Sequence, residues 1–291
     1  MVNGIQKDLH PLLKLAEWLS IIVAVVAVVM AVWLLLPINH FDTFNLLAFQ
    51  AVQAVCIFIL PAWMVAHLWN EQPEAYLHLR PLEQTDRTLL LLSIATVICA
   101  LPLINCLAYW NSQITLPDCL QGLEAKMQKW EEDAARLLKA FMMIENGSLI
   151  FLLINILILA ILPAIGEELT FRGVLQSFFR RNKHVAVWLT AIIFSFIHFQ
   201  FYGFIPRMLL GALLGYALVW TDNLIYSITM HATNNTMAVL LFYIATFVLH
   251  LPEKEMDYLG TGDTWWLTAI SVPLTALCLI LFYRRARLKL K

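Results

Sequence analysis

The run Pro163-Ala164-Ile165-Gly166-Glu167-Glu168-Leu169-Thr170-Phe171-Arg172-Gly173 directly continues an apolar stretch that opens at Ser148-Leu149-Ile150-Phe151. Two carboxylates and a guanidinium at the end of a segment apolar enough to cross a bilayer are destabilising there, so by default they mark a functional site. On a helix, Glu168 and Arg172 stand at i and i+4 with the acid first, the favourable order for a side-chain pair. Glu167 is turned about 100° away from Glu168 around the axis. It is therefore free to face a cavity while its neighbour holds the ion pair. By itself this cluster reads equally well as an ion pair that only anchors the helix end.

The rest of the chain sets that run in a membrane. Of 291 residues, 61% are hydrophobic and 13% charged, well beyond the apolar share of an ordinary soluble domain. Stretches of about twenty apolar residues, enough to cross a hydrocarbon core, occur at roughly 18–36, 44–69, 88–110, 148–170, 184–202, 204–221, 223–248 and 264–283. Backbone polar groups in lipid must be satisfied within their own segment, so all should be helices. The expectation is an all-α, polytopic helical bundle of about eight transmembrane helices, forming one integral membrane domain over residues 1–291. Trp18, Trp33, Trp69, Trp110, Trp220, Trp265 and Trp266 fall near span ends, as interfacial anchors do. The first span, although preceded by Lys7 and Lys14, is too long for a signal peptide and is expected to be retained.

Eight spans place thirteen of the nineteen Lys and Arg on one side, Arg180, Arg181, Lys183 and Lys291 among them; Lys254 and Arg207 fall on the other. The excess assigns both termini to the cytoplasm. A net charge of -1 offers no single-sign field for nucleic acid, which leaves the lipid bilayer as the expected surroundings. The cysteines, five in number, indicate neither a disulfide framework nor a CxxC site. The connection 111–147 contains Leu123 to Leu138, where apolar residues recur at helical spacing among charges. It reads as an amphipathic, extramembrane helix at the interface, a solvated cap in preference to a gating lid.

Two later spans carry polar residues of their own. Phe194 and His198 share a helix face, and so do His231 and Asn235 at i and i+4, with Asn234 as the rival amide. If the chain turns at Arg181-Asn182-Lys183, then Glu167 and His198 both lie about 20 Å from that turn at 1.5 Å per residue. Asn235 lies about 18 Å from its own turn at Asn223 by the same rise. Three helices thus bring their polar groups to one level. A helix from Ser148 to Arg180 would be about 50 Å long, so it must tilt, break near Pro163 or project into water.

Glu-Glu-x-x-x-Arg at 167–172, Phe-x-x-x-His at 194–198 and His-x-x-x-Asn at 231–235, in this order on successive apolar segments, resemble the CPBP family of CAAX proteases and bacteriocin-processing enzymes. The likeness covers roughly residues 150 to 245, within an expected catalytic core of about 148–248. It implies an all-helical intramembrane endopeptidase related to the type II CAAX prenyl endopeptidase, set in a bacterial cell (inner) membrane and acting on a membrane-associated peptide or protein.

Peptide hydrolysis needs a base for water and donors for the oxyanion. Glu167 is assigned as base with His198 orienting the water, and His231 with Asn235 as the oxyanion site, in agreement with the resemblance. Glu168, Arg172 and Phe194 support them. Glu167, His198 and His231 would also make a zinc ligand set with an open fourth position, so a divalent metal such as zinc is the cofactor these residues could hold. The pairing of His231 with Asn235 favours the metal-free version. The competing class is a membrane transporter or a bacteriocin-immunity scaffold, since intramembrane Glu, His and Arg also build ion pathways.

Overall fold

The computed structural model describes residues 3–143, 147–179, 181–251 and 259–289. Arg180, Lys254 and Lys291, which enter the charge count above, lie outside the described residues. Those described form helices and connections without a strand.

Helix α1 covers Pro11–Leu35 and α2 covers Thr43–Trp69, the latter started by Asp42, whose Oδ2 accepts from the Phe44 and Asn45 amides. Helix α3 is Arg87–Ser112, α4 the amphipathic Gln121–Met142, and α5 the long run Leu149–Phe179. Then follow α6, Lys183–Phe196, α7, Phe204–Thr221, α8, Leu224–Tyr243, and α9, Trp265–Lys289.

Helix α5 does not break at Pro163. Its turn widens into a π-helix over Ile156–Ile161, two residues short of the proline. The same device occurs in α2, where Ala54–Ile59 is π-helical just before Pro61. A proline inside a helix removes one N–H and pushes its ring against the carbonyl four residues back. A π turn at that point lets the helix run on. A second π segment, Leu169–Val174, re-aims the helix below the two glutamates.

Among the described residues, six helices are long and apolar enough to cross a membrane: Pro11–Leu35, Thr43–Trp69, Arg87–Ser112, Leu149–Phe179, Phe201–Thr221 and Gly262–Leu288. The two other expected spans are helices but stand outside this set, and both carry site residues. The span expected over 184–202 ends at Phe196 after 14 residues, about 21 Å of rise. There the backbone turns, with Phe199 at φ 54°. Helix α8 has 20 residues, but Ser227, Thr229, His231, Thr233, Asn234, Asn235 and Thr236 interrupt its apolar character. Both are sheltered by neighbours, α6 against α7 and α8 against α3, α5 and α7, so they need not meet lipid all round.

Close backbone approach sets the positions of these helices. A Cβ on Gly166 would lie 2.8 Å from Phe58 Cβ and 3.0 Å from the Ala54 carbonyl, so α5 touches the π segment of α2 at the residue before Glu167. A Cβ on Gly211 would meet Ala191 at 3.3 Å, and one on Gly215 would meet Val187 at 3.1 Å. This is the close packing of α7 on α6 that small residues allow. The main core gathers Ala62, Val65 and Trp69 of α2 with Leu169, Phe171 and Val174 of α5, and Phe194, Leu218 and Leu224.

The loop end is tied by charge. Asp86 caps α3 through Thr88 and Leu89 and accepts from Arg285 of α9 at 2.8 Å. Tyr226 of α8 accepts from the Asp86 amide at 2.7 Å. Asp222, in the left-handed conformation at the end of α7, meets His78 at 2.6 Å and also pairs with Arg80.

Candidate active site

The second glutamate makes the ion pair that its spacing suggests. Arg172 Nη1 donates to Glu168 Oε1 at 2.7 Å with neither side chain exposed, and Arg172 Nη2 donates to the Gly211 carbonyl at 2.9 Å. The same Glu168 oxygen also meets His231 Nδ1 at 2.8 Å, so one carboxylate holds a guanidinium and an imidazole. Phe194 completes the frame: its ring lies 4.6 Å from Arg172 Cζ, a cation–π distance. It also stands edge-on to His198 and His231, with centroids 4.9 and 5.8 Å away.

Glu167 faces the other way and meets both histidines. Its Oε2 is 3.8 Å from His231 Nε2 and 4.0 Å from His198 Nε2. These separations exceed direct hydrogen bonding and suit groups that share a water. Helix α6 has already ended at His198, which sits one turn past Phe194 and places Nδ1 2.7 Å from the Phe194 carbonyl. A carbonyl only accepts, so that nitrogen carries the proton and Nε2 of the neutral ring presents its lone pair toward Glu167. His231 is oriented in the same way, by a carboxylate.

Asn235 follows His231 by one helical turn. Its Oδ1 accepts from Asn234 Nδ2 at 3.2 Å, which occupies the rival amide and leaves the Asn235 NH₂ as the group with donors to spare. Among the described residues, no group of three or more His, Cys, Asp or Glu is arranged to hold a metal ion.

Four neighbours carried no signal of this placement in the sequence. Asn111, 5% exposed at the end of α3, donates to the Phe201 carbonyl at 3.0 Å and accepts from the Ile205 amide at 2.7 Å, fixing the turn that follows His198. Arg207, counted above only as a loop charge, donates to the Gln200 carbonyl and side chain at 3.0 and 2.8 Å. Its charge acts on both Glu131 and Glu167. Helix α4 covers this turn, with Trp130 edge-on to Phe199 at 5.7 Å, and Asn155 of α5 donates to the Phe141 carbonyl near its end at 3.1 Å. The partners of these residues come from distant segments or from a turn, so no spacing reveals them.

Six apolar helices among the described residues, with a polar cluster in which Glu168, Arg172 and His231 are buried and Glu167 and His198 half-buried, define a polytopic integral membrane protein. Residues 149–237 match the family model described as type II CAAX prenyl endopeptidase Rce1-like. That stretch carries all three motifs. The chain is 36% identical over 81 residues to an uncharacterized protein, YpbD, of Bacillus subtilis; the match covers 26% of this chain and 40% of that relative. No solved structure matches.

Proposed function

We propose that the protein is an intramembrane endopeptidase that hydrolyses a peptide bond of a membrane-associated peptide or protein. The observation that carries this reading is the convergence of Glu167 Oε2 on His198 Nε2 and His231 Nε2 at 4.0 and 3.8 Å, in a stretch matched by an endopeptidase family. CAAX-type cleavage near a substrate C-terminus is the finer part of the proposal, taken from that family's description.

Water held between Glu167 and His198 loses a proton to Glu167 as its oxygen attacks the scissile carbonyl. His198 accepts the water's other hydrogen at Nε2, a role its neutral tautomer permits and a doubly protonated ring would not. The developing oxyanion receives hydrogen bonds from Asn235 and from His231 Nε2–H. For His231 to donate there while also bonded to Glu168, it must carry both ring protons. The resulting cation balances the site: two carboxylates, one guanidinium and one imidazolium sum to zero, which a low-dielectric interior favours. When the tetrahedral intermediate collapses, Glu167 returns its proton to the leaving amine. Glu167 itself activates the water in this scheme, with no metal step. The basic end carrying Arg80, Lys183 and Arg285 faces the cytoplasm, in a bacterial inner membrane.

Glu167→Gln is expected to lower the rate by about 10²–10⁴ and Asn235→Ala by about 10²–10³, with a chelator leaving the wild type unaffected. The substrate comes from comparing peptides that accumulate in cells expressing Glu167→Ala with those in wild-type cells. Full activity of purified Glu167→Gln on such a peptide would overturn the assignment.

A further inference from the structure

A cavity of about 390 Å³ lies between α5, α6 and α7 beside the 181–183 turn, and its wall includes Arg172, Gln176, Lys183, Ala186, Val219 and Asp222. That volume falls in the range of small-ligand sites, about 300–1,000 Å³. Arg172 and Gln176 are 1% and 6% exposed. Arg172 commits Nη1 and Nη2 to Glu168 and the Gly211 carbonyl, and Gln176 commits Nε2 to the Gly215 carbonyl. What they have left is Arg172 Nε, a donor, and Gln176 Oε1, an acceptor, neither with a partner among the described residues. Buried polar atoms ordinarily find one. A hydroxyl serves both, its oxygen accepting from Nε and its hydrogen going to Oε1.

The charges on the wall indicate what carries that hydroxyl. Arg172 is paired with Glu168, and Asp222 with His78 and Arg80. Lys183 is exposed at the first position of α6 and has no ion-pair partner among the described residues. The positive end of the α6 dipole adds to it. One positive charge therefore stands unanswered at the mouth, and a single negative charge complements it. The mouth lies where α5, α6 and α7 end, next to Trp220, the level of lipid headgroups in a bilayer.

We infer that this cavity binds a phosphodiester ending in a polyol, the chemistry of an anionic glycerol headgroup. Its hydroxyl sits at the base between Arg172 and Gln176, and its single negative charge meets Lys183 at the mouth. Basic recesses between spans hold anionic headgroups in this way. An ethanolamine or choline head would instead bring a cation against Lys183 and Arg172. Bound there, the ligand joins α5, α6 and α7 at the basic end of the bundle.

The test titrates three dioleoyl lipids into the purified full chain in neutral detergent, read by native mass spectrometry and by Tm. They are phosphatidylglycerol, phosphatidylmethanol, which has the same charge but no hydroxyl, and phosphatidylcholine. Phosphatidylglycerol should bind at least about tenfold more tightly than either of the others and raise Tm. Gln176→Leu should erase its advantage over phosphatidylmethanol. Lys183→Gln should weaken both anionic lipids about fivefold and leave that advantage in place. Filling the cavity with Ala186→Met or Val219→Phe should weaken phosphatidylglycerol about tenfold. Water-soluble glycerophosphoglycerol separates the sources: competition at similar concentration supports the site with a soluble ligand, and its failure to compete supports the site with a lipid. Equal affinity of the wild type for phosphatidylglycerol and phosphatidylmethanol would overturn the inference, and so would undiminished binding in both filled variants. The wild-type comparison decides even where a variant fails to fold, and none of these readouts needs peptide cleavage.

Discussion

Replacing Arg172 with leucine removes the positive half of an ion pair in which neither side chain is exposed. Breaking such a pair leaves Glu168 with His231 as its remaining partner, a loss of about 3–5 kcal/mol. The Gly211 carbonyl loses its donor and Phe194 its cation. Contributions within one network do not add in full, so roughly 5 kcal/mol is the expected total. That corresponds to a fall of about 10–20 °C in apparent Tm for a chain of this size, followed by tryptophan emission during heating in detergent. The double variant Glu168→Leu/Arg172→Leu removes both charges and should recover most of that loss, since a buried pair and a well-packed apolar pair are often of similar stability. Its activity should stay low, because His231 Nδ1 has lost the carboxylate that orients it. An Arg172→Leu protein unfolding within about 2 °C of wild type, or a double variant no more stable than the single, would refute this account of the pair.

Gly166→Ala places a methyl 2.8 Å from Phe58 and 3.0 Å from the Ala54 backbone, where little can yield. It should destabilise by about 1–3 kcal/mol and, by shifting the adjacent Glu167, lower kcat about 10²-fold, as read in steady-state kinetics. Asn111→Leu removes both bonds that shape the turn after His198 and should lower kcat about tenfold with Tm reduced. Glu131 on α4 has its carboxyl raised above the usual range by burial, opposed by Arg207 and by the Tyr202 backbone N–H. Its proton is therefore bound more tightly in the folded state, and the stability it contributes is greatest at low pH and declines as pH rises through the folded value. Glu131→Gln should flatten that decline in a Tm-against-pH series; an unchanged slope would count against the burial of this group.

The sequence went furthest where one helix carries both partners. Glu168 with Arg172, and Phe194 with the ring one turn on, follow from local geometry, and the helical rise brings Glu167, His198 and Asn235 to one level. It overran the end of one span and gave no account of the polar residues in another. Helix α6 stops at Phe196 because the backbone reverses at Phe199, and α8 tolerates a polar middle because other helices surround it. Of the three ways to fit the overlong fourth span, a break near Pro163 is not taken, because a π turn ahead of the proline lets the helix run on. The bond from His231 to Glu168, 63 residues apart, left no trace in spacing, since it depends on how α5 and α8 cross.

Sequence by itself determined that this chain is a helical membrane protein and which side chains are too polar to be there without a purpose. Both follow from the hydrophobic content of each segment and from the instability of a charge in lipid, properties a residue carries wherever it is placed. Only the tertiary structure decided that Glu168 serves Arg172 and His231 together, that Glu167 faces two ring nitrogens, and that Asn111 and Arg207 belong to the site. Those depend on helices approaching closely at Gly166 and Gly211, and on tautomers set by partners from other segments, which no single helix encodes.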